Sequence, residues 1–205
     1  MLCSRAMVSI LVVCTGNVCR SPLAEGFLRA ALEGRLGASA PAVSSAGTAG
    51  WEGSPAMPES VAAAAEREVD ISGHRGRALT RAHVDDADLI VAMAAEHRDT
   101  VARSVPDAES RTFTLKELVR LLDELPSADT SEPRPEALAA RLGEADRLRR
   151  SGFEGNPHDE DVVDPLGMPI DSYRAVAWEL DEWSRRLADG LFGLAPAKAT
   201  AKDEG

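Results

Sequence analysis

A short segment of the chain combines a nucleophile with a ligand for phosphate. Residues 14–21 read Cys-Thr-Gly-Asn-Val-Cys-Arg-Ser. The five residues between Cys14 and Arg20 are enough backbone to curl around a tetrahedral oxyanion with N–H groups pointing inward. Arg20 offers a planar fork of donors that can hold two phosphate oxygens together, which a lysine point charge does less well. The pattern predicts a site for phosphoryl transfer in which Cys14 is the nucleophile.

The elements on either side of this segment should position and activate the cysteine. The apolar run 8–13 predicts a buried strand, and residues 22–28 are compatible with a helix. A helix N-terminus carries positive partial charge and attracts anions. Together with the neighbouring arginine, that field should hold Cys14 as a thiolate at neutral pH.

Cys14 is less well suited to lipid attachment, to zinc binding or to a purely structural role. A lipid-attachment cysteine needs a small residue before it and a longer apolar leader, whereas Val13 is large and the segment before it is short. Zinc ligands come in paired spacings, which the three cysteines and four histidines do not show. A buried structural cysteine would not explain why glycine, asparagine and arginine accompany it in one loop.

Composition limits the partners and the compartment. The 205-residue chain has a net charge of −11 and a pI near 4.9, which disfavours attraction to nucleic acid or to an anionic membrane surface. Three cysteines give no disulfide framework, and no apolar stretch approaches the roughly 20 residues of a membrane span. We expect a cytoplasmic protein that acts on phosphorylated proteins or small phosphorylated molecules, with no nucleic-acid or membrane partner.

Short apolar runs alternate with longer amphipathic ones, as in βα units around a parallel sheet. Strands are predicted at 8–14, 42–46, 88–93 and 112–113. Helices are predicted at 22–33, from 58 to about 68, at 115–122 and at 171–191, and the apolar stripe of the last should pack on the sheet. The predicted fold class is α/β, a compact three-layer domain with a four-stranded parallel sheet flanked by helices. The phosphate-binding loop joins the first strand to the first helix.

Residues 126–161 have a different character. Several prolines, a helical stretch near 135–150 and an acidic run at 158–161 predict a mobile insertion outside the core. One domain is therefore expected over 8–192, with the insertion at 126–161 and a frayed tail at 193–205.

Transfer of a phosphoryl group to sulfur expels an oxygen that needs a proton, so a general acid must face the nucleophile. Asp164 is the best candidate. Pro165 biases it toward an extended backbone, and the pair lies between the proline-rich segment and the last helix, where a loop can cover a pocket.

These residues resemble the low-molecular-weight protein tyrosine phosphatases. The similarity covers most of residues 8–190 in the family's order. It includes the segment 12–22, Ser-Ala-Gly-Thr at 45–48 with Trp51, the run 88–93, and Asp164-Pro165 with Tyr173 downstream.

The resemblance implies a phosphocysteine intermediate and neither a metal nor another cofactor. Cys14 would be the nucleophile and Arg20 the clamp on the phosphate and the transition state. Asp164 would protonate the leaving oxygen and then activate water. Ser21 would hydrogen-bond to the sulfur of Cys14.

The resemblance also implies a set of supporting residues. Asn17, Ser45 and His74 would form a polar network behind the loop, although His74 could instead be a surface histidine. Cys19 would protect Cys14 by reversible disulfide formation, or would be a small packing residue. The predicted loop and its support comprise Thr15, Gly16, Asn17, Val18, Cys19, Ser21, Ser45 and His74.

Substrate choice is where this chain departs from the family. Many tyrosine-directed members carry aromatic residues directly after the Asp-Pro pair, whereas Leu166 and Gly167 follow here. Stacking on a phenyl ring would then depend mainly on Trp51. We predict a substrate pocket bordered by Trp51 and Leu166 and a phosphotyrosine protein as substrate.

Three further functions compete with this prediction. Protein arginine phosphatases resemble the chain in the loop and in residues 112–117, but they carry threonine where Val18 stands, whose hydroxyl could orient water toward a phosphoramidate. A non-catalytic phosphate-binding module would lose the thiol or the acid, and both are present. Thioredoxin-coupled arsenate reduction needs two further cysteines as a relay, and no cysteine lies beyond Cys19.

Overall fold

A four-stranded parallel sheet forms the centre of the protein. The computed structural model describes residues 7–127, 133–153 and 160–193. Within these ranges the strand order is β2-β1-β3-β4. The strands are β1 (Ser9–Cys14), β2 (Ala42–Gly47), β3 (Leu89–Ala92) and β4 (Thr112–Thr114). Each coincides with a predicted strand to within one residue at either end, and the α/β fold class is confirmed.

Helices cover both faces of the sheet. In the described ranges they are α1 (Arg20–Leu36), α2 (Pro58–Ala65), α3 (Arg81–Asp85), α4 (Ala95–Ser104), α5 (Leu115–Asp123), α6 (Pro135–Arg150) and α7 (Ile170–Phe192). Sequence reasoning did not find α3 and α4. Each buries only one or two side chains, so neither shows an apolar period.

The two faces of β1 belong to two separate cores, because successive side chains of a strand point to opposite faces. Ile10, Val12 and Cys14 join a large cluster with side chains of α1, α2, α5, α6 and α7. Leu11 and Val13 join a smaller one with side chains of α3 and α4. These five residues are at most 3% exposed, which is why the strand is a continuous apolar run in the sequence.

Part of the segment 126–161 belongs to the core. Helix α6 buries Leu138, Leu142 and Ala145 in the same cluster as β1, and it packs against α5 and the 3₁₀ turn Pro106–Arg111. The prediction of a mobile insertion outside the core is therefore wrong for this helix. Residues 128–132 and 154–159 lie outside the described residues, as do residues 194–205 of the predicted tail, so the insertion and tail boundaries stay predictions.

The long helix α7 is buried along one side, as its apolar stripe predicted. Tyr173 is 1% exposed, and Leu180 and Leu187 are fully buried. Its side chains join the same buried cluster as residues of β1, β3 and β4, and its neighbouring helices in that layer are α1, α2 and α5.

The strand order brings the carboxyl ends of β1 and β3 side by side. The chain continues from β1 into α1 on one face and from β3 into α4 on the other. A crevice opens where successive connections diverge in this way, and ligands of open α/β sheets bind there. Cys14 is the last residue of β1, so the fold places the predicted nucleophile in this crevice.

Two glycines of α1 give a matched test of the packing on this helix. A methyl group on Gly26 would lie 2.7 Å from Ile71 Cγ2, whereas one on Gly34 would meet no described atom within 4 Å outside its own helix and chain neighbours. Gly34→Ala should raise the free energy of unfolding by about 0.5–1 kcal/mol, because alanine loses less backbone entropy. Gly26→Ala should lower it by about 1–3 kcal/mol through overpacking. Denaturant unfolding measures both, and equal effects would mean that Ile71 moves aside freely.

Candidate active site

The loop between β1 and α1 turns back over the sulfur of Cys14. The backbone N–H of Asn17 donates to Cys14 Sγ at 3.3 Å, and Ser21 Oγ lies 2.9 Å from the same sulfur. Asn17 has φ +56°, a left-handed conformation that asparagine adopts more readily than most residues. This turn points the backbone N–H of Asn17 toward the sulfur rather than away from it.

Backbone carbonyls of the loop point outward, and each needs a partner. Backbone N–H groups of the segment 48–57 donate to four of them. The pairs are Thr48 to Cys14 (2.9 Å), Ala49 to Thr15 (2.9 Å), Trp51 to Gly16 (3.0 Å) and Met57 to Val18 (2.8 Å). The Gly-rich segment that follows β2 therefore forms the outer wall of the loop. A methyl group on Gly47 would lie 2.4 Å from the Thr15 carbonyl oxygen, so this wall can approach only because the residue is glycine.

The side chain of Asn17 joins the loop to three further parts of the chain. Its Nδ2 donates to Ser21 Oγ and Ser45 Oγ, both at 2.8 Å, and its Oδ1 accepts from the backbone N–H of Arg77 at 2.8 Å. His74 Nε2 donates to the Asn17 carbonyl at 2.8 Å. Asn17 is fully buried, so an unpaired group here would carry its full desolvation cost. The structure thus brings together the residues proposed as a supporting network.

Two residues that sequence reasoning did not find extend this network. Ser45 Oγ donates to Glu25 Oε2 at 2.6 Å, and the guanidinium of Arg77 donates to the Ser45 carbonyl at 2.8 Å. Glu25 lies four residues after Ser21 on α1, so the helical period could have indicated it. No sequence pattern indicates Arg77, because its position is set by the β-bridge between the next residue, Ala78, and Gly47.

Arg20 lies at the edge of the loop and contacts the predicted acid. Its Nη2 donates to Asp164 Oδ2 at 2.6 Å and to Thr15 Oγ1 at 3.2 Å, and its Nη1 donates to the Val162 carbonyl at 3.2 Å. Arg20 is only 5% exposed. Its Nε is buried and has no hydrogen-bond partner among the described residues. The two Nη atoms of the guanidinium are therefore held by three contacts, while its Nε donor is used by none of the described residues.

The segment that carries Asp164 is held at the end of β3. The backbone N–H of Val162 donates to the Met93 carbonyl at 2.8 Å, and the first N–H of α4 donates to Asp161 Oδ1 at 2.7 Å. A carboxylate at a helix N-terminus is favourable. The Asp164 side chain is 41% exposed, so it reaches solvent while it contacts Arg20.

Apolar side chains border the site. Trp51 is 48% exposed and lies beside the loop, since a methyl group on Gly16 would be 3.8 Å from its ring. Leu166 and Met168 are 43% and 45% exposed. The N–H of Leu166 donates to Asp164 Oδ1 at 3.2 Å. The two predicted pocket residues therefore lie next to the loop and next to the candidate acid.

Cys19 is buried and forms a hydrogen bond with Tyr173. Cys14 and Cys19 are both free thiols in the structure. Burial raises the pKa of Cys19 to about 11, so its thiol stays protonated at neutral pH and is a poor nucleophile. The contact with Tyr173 supports the packing role, and the disulfide role stays a prediction.

His97 is a further residue of the site that sequence reasoning did not find. It lies in the first turn of α4, is 1% exposed, and its Nε2 is 2.9 Å from Thr15 Oγ1. Burial, and secondly the Arg20 cation, lower the pKa of His97, so the imidazole is neutral at neutral pH. Its position just beyond β3, at the crevice, is the signal that could have indicated it.

These groups have the arrangement that acid-assisted phosphoryl transfer to sulfur requires. The Cys14 thiol accepts a hydrogen bond from the Asn17 N–H, and a guanidinium and a carboxyl group lie at the edge of the loop. Among the residues that the structure describes, no three His, Cys, Asp or Glu side chains are grouped as metal ligands would be.

Comparison with known proteins agrees with this chemistry. The family model for low molecular weight phosphotyrosine protein phosphatase matches residues 9–134. The chain is 33% identical to the protein-arginine-phosphatase of Geobacillus stearothermophilus over 89% of its own length and 95% of the relative's. It is 42% identical to the low molecular weight protein-tyrosine-phosphatase Etp of Escherichia coli K12 over 51% and 67%. The crystal structure of a low molecular weight protein tyrosine phosphatase from T. tengcongensis superposes with a TM-score of 0.66 at 33% identity, covering 90% of this chain and 99% of that one.

Fold and site together define a cysteine-based phosphatase of the α/β class. The chain belongs to the low molecular weight phosphotyrosine protein phosphatase family, which confirms the resemblance seen in its sequence.

The left-handed turn at Asn17 gives a prediction that separates backbone from side chain. Asn17→Ala removes buried hydrogen bonds. It also leaves a non-glycine residue at positive φ without the polar side chain by which asparagine tolerates that conformation. It should lower the free energy of unfolding by about 2–4 kcal/mol. Asn17→Gly loses the same side chain but accepts this φ, so it should be roughly 1 kcal/mol less destabilised. Chemical denaturation of both variants tests this, and an alanine variant as stable as the glycine variant would show that the backbone carries no strain.

Proposed function

We propose that this protein dephosphorylates phosphotyrosine side chains of proteins through a phosphocysteine intermediate. The observation that carries the proposal is the arrangement at the end of β1. The sulfur of Cys14 accepts a hydrogen bond from the Asn17 N–H, and Arg20 Nη2 and Asp164 Oδ2 lie 2.6 Å apart at the edge of the same loop.

In the first half-reaction the sulfur of Cys14 attacks phosphorus, and the bond from phosphorus to the leaving oxygen breaks. Loop N–H groups and Arg20 stabilise the charge on the three non-bridging oxygens. The buried Nε of Arg20 supplies one such donor. Asp164, in its acid form, gives its proton to the leaving oxygen. The products are phosphocysteine, the released hydroxyl compound and the Asp164 carboxylate.

In the second half-reaction water attacks the phosphocysteine, and the bond between phosphorus and sulfur breaks. Asp164, now a carboxylate, accepts a proton from the water. Ser21 Oγ, 2.9 Å from Cys14 Sγ, stabilises the departing thiolate by a hydrogen bond. Inorganic phosphate leaves, and the thiolate and the protonated acid are restored.

Exposed apolar groups favour an aromatic leaving group. Trp51 borders the loop, and Leu166 and Met168 follow the acid, all with more than two-fifths of their surface exposed. A phenyl ring entering with its phosphate would bury part of this surface. Relatives named as protein tyrosine phosphatases support the same substrate class.

Protein arginine phosphatase is the second candidate, and the extent of similarity favours it. The Geobacillus stearothermophilus relative of that name aligns with most of this chain, whereas the Escherichia coli tyrosine phosphatase aligns with about half. Against it, Val18 is 2% exposed and belongs to the large core cluster. It offers no hydroxyl to orient water toward a phosphoramidate.

Phosphorylated proteins are the proposed partners, and the cytoplasm is the proposed location. Within the described ranges no helix is both long and apolar enough to cross a membrane. The acidic chain, with net charge −11, gives no reason to expect nucleic acid as a partner.

Comparison of three phosphopeptides tests the proposed substrate. Three peptides that are identical except for phosphotyrosine, phosphoarginine or phosphoserine should differ in kcat/KM. The value for phosphotyrosine should be at least about tenfold higher than the other two, because only its ring can contact Trp51 and because a phenol is a good leaving group. Cys14→Ser is the control. It should abolish turnover and still bind inorganic phosphate, because the loop donors remain. Preference for phosphoarginine would replace the first candidate by the second, and turnover by Cys14→Ser would remove Cys14 from the mechanism.

The role of Asp164 is tested by varying the leaving group. Asp164→Ala should slow cleavage of phosphotyrosine by about 10²–10⁴-fold, and cleavage of an activated aryl phosphate far less, because an acidic phenol departs without a proton. Single-turnover kinetics isolates this first half-reaction. Asp171→Ala, an exposed aspartate on α7 that pairs with Arg174, is the control and should match the parent. Equal slowing of both substrates would show that another group is the acid.

A further inference from the structure

We propose that His97 is a positioning residue for Arg20 and that it acts through the hydroxyl of Thr15. The inference rests on the proposed function, because Arg20 is taken to hold the phosphoryl group. Neither His97 nor Thr15 needs to touch the substrate for this role.

Geometry links the three side chains in one chain of hydrogen bonds. Thr15 Oγ1 lies 3.2 Å from Arg20 Nη2 and 2.9 Å from His97 Nε2. A guanidinium only donates, so the hydroxyl oxygen accepts from Arg20. The second contact then joins the loop after β1 to the first turn of α4.

Arg20 needs an anchor that does not change during the reaction. Its shortest contact is with Asp164, and the proposed mechanism requires that group to be neutral when the first half-reaction begins. A neutral carboxyl group attracts the guanidinium much less than a carboxylate does. Two contacts of Arg20 do not depend on the charge of Asp164: Nη1 donates to the Val162 carbonyl and Nη2 donates to Thr15 Oγ1, both at 3.2 Å. Thr15 is the one of these that shares Nη2 with Asp164, so it can hold this nitrogen in place while the acid gives up its proton.

His97 is suited to fix the Thr15 hydroxyl. Thr15 is half-buried, and a threonine side chain can occupy more than one staggered rotamer. The imidazole is held by burial, with 1% of its surface exposed. Glu96 Oε1 is 3.3 Å from the same Nε2, but the Glu96 side chain is 73% exposed, so solvent weakens that contact. The buried imidazole therefore orients the Thr15 hydroxyl through the 2.9 Å contact.

Stability alone does not explain a histidine at this place. His97 Nδ1 is buried and has no hydrogen-bond partner among the described residues, and a buried polar atom without a partner is destabilising. An apolar residue of similar size would fill the same space without that cost. The contact between Nε2 and Thr15 is what the imidazole adds.

A double-mutant cycle tests the proposal. Thr15→Val and His97→Leu should each lower kcat on an aryl phosphate by about tenfold with a smaller change in KM, because the loss concerns orientation in the transition state. The double variant should be no slower than the slower single variant, since both changes break the same chain of contacts. His97→Gln places an amide near the Nε2 position and should recover most of the lost activity. His83→Leu, on α3, is the matched control and should leave kcat unchanged.

Several results would overturn the proposal. A double variant about a hundredfold slower than the parent would mean that the two substitutions act independently. A His97→Leu variant with full kcat would mean that His97 has no part in catalysis. A His97→Gln variant as slow as His97→Leu would mean that the Nε2 contact is not what His97 contributes.

The same double-mutant cycle can be measured without turnover, as the affinity of the parent and of each variant for vanadate, determined by calorimetry. Here Thr15→Val and His97→Leu should each weaken binding, and again not additively. If the binding effects are not additive and the parent hydrolyses no phosphomonoester, the positioning role of His97 is supported and the proposed function is refuted. If the binding effects are additive and the parent is active, the positioning role is refuted and the proposed function is supported. A parent that neither turns over substrate nor binds vanadate would refute both.

Discussion

The structure depends on one constraint, which is that a loop with its N–H groups turned inward has its carbonyl groups turned outward. Those carbonyls would lose hydrogen bonds on burial unless other parts of the chain supplied donors. The segment 48–57 donates to four of them, and His74 donates to a fifth, the carbonyl of Asn17. The proposed oxyanion site therefore depends on the wall built around it.

The same constraint explains why the supporting residues come from distant parts of the sequence. Asn17 contacts Ser45 and Arg77, and these lie on the outer side of the loop. Arg20 and the Asp164 segment close the opposite edge, where the carboxyl end of β3 provides a carbonyl and α4 an N-terminus. The loop is thus held from two sides, and the two predicted catalytic groups meet at one of them.

Prediction from sequence succeeded where burial left a strong pattern. All four strands and the helices α1, α5 and α7 are marked by apolar runs or stripes, because they border the cores. It failed where burial is slight, as in α3 and α4, and it missed the burial of α6, although it predicted a helix near 135–150. Leu138, Leu142 and Ala145 recur at the spacing of one apolar helix face. Only the tertiary structure shows that α6 packs against α5.

The sequence alone predicted the cysteine, the arginine and the loop that joins them, because these residues are contiguous, whereas the directions of the loop's backbone groups also depend on donors from the segment 48–57 and from His74. Tertiary structure decided which carboxyl group meets Arg20, since Asp164 is separated from it by 144 positions. It also decided the contact between Thr15 and His97, which are 82 positions apart. Residue types can suggest such pairs, but only the order of the strands brings the ends of β1 and β3 together. That order is fixed by packing across the whole sheet rather than by any short segment.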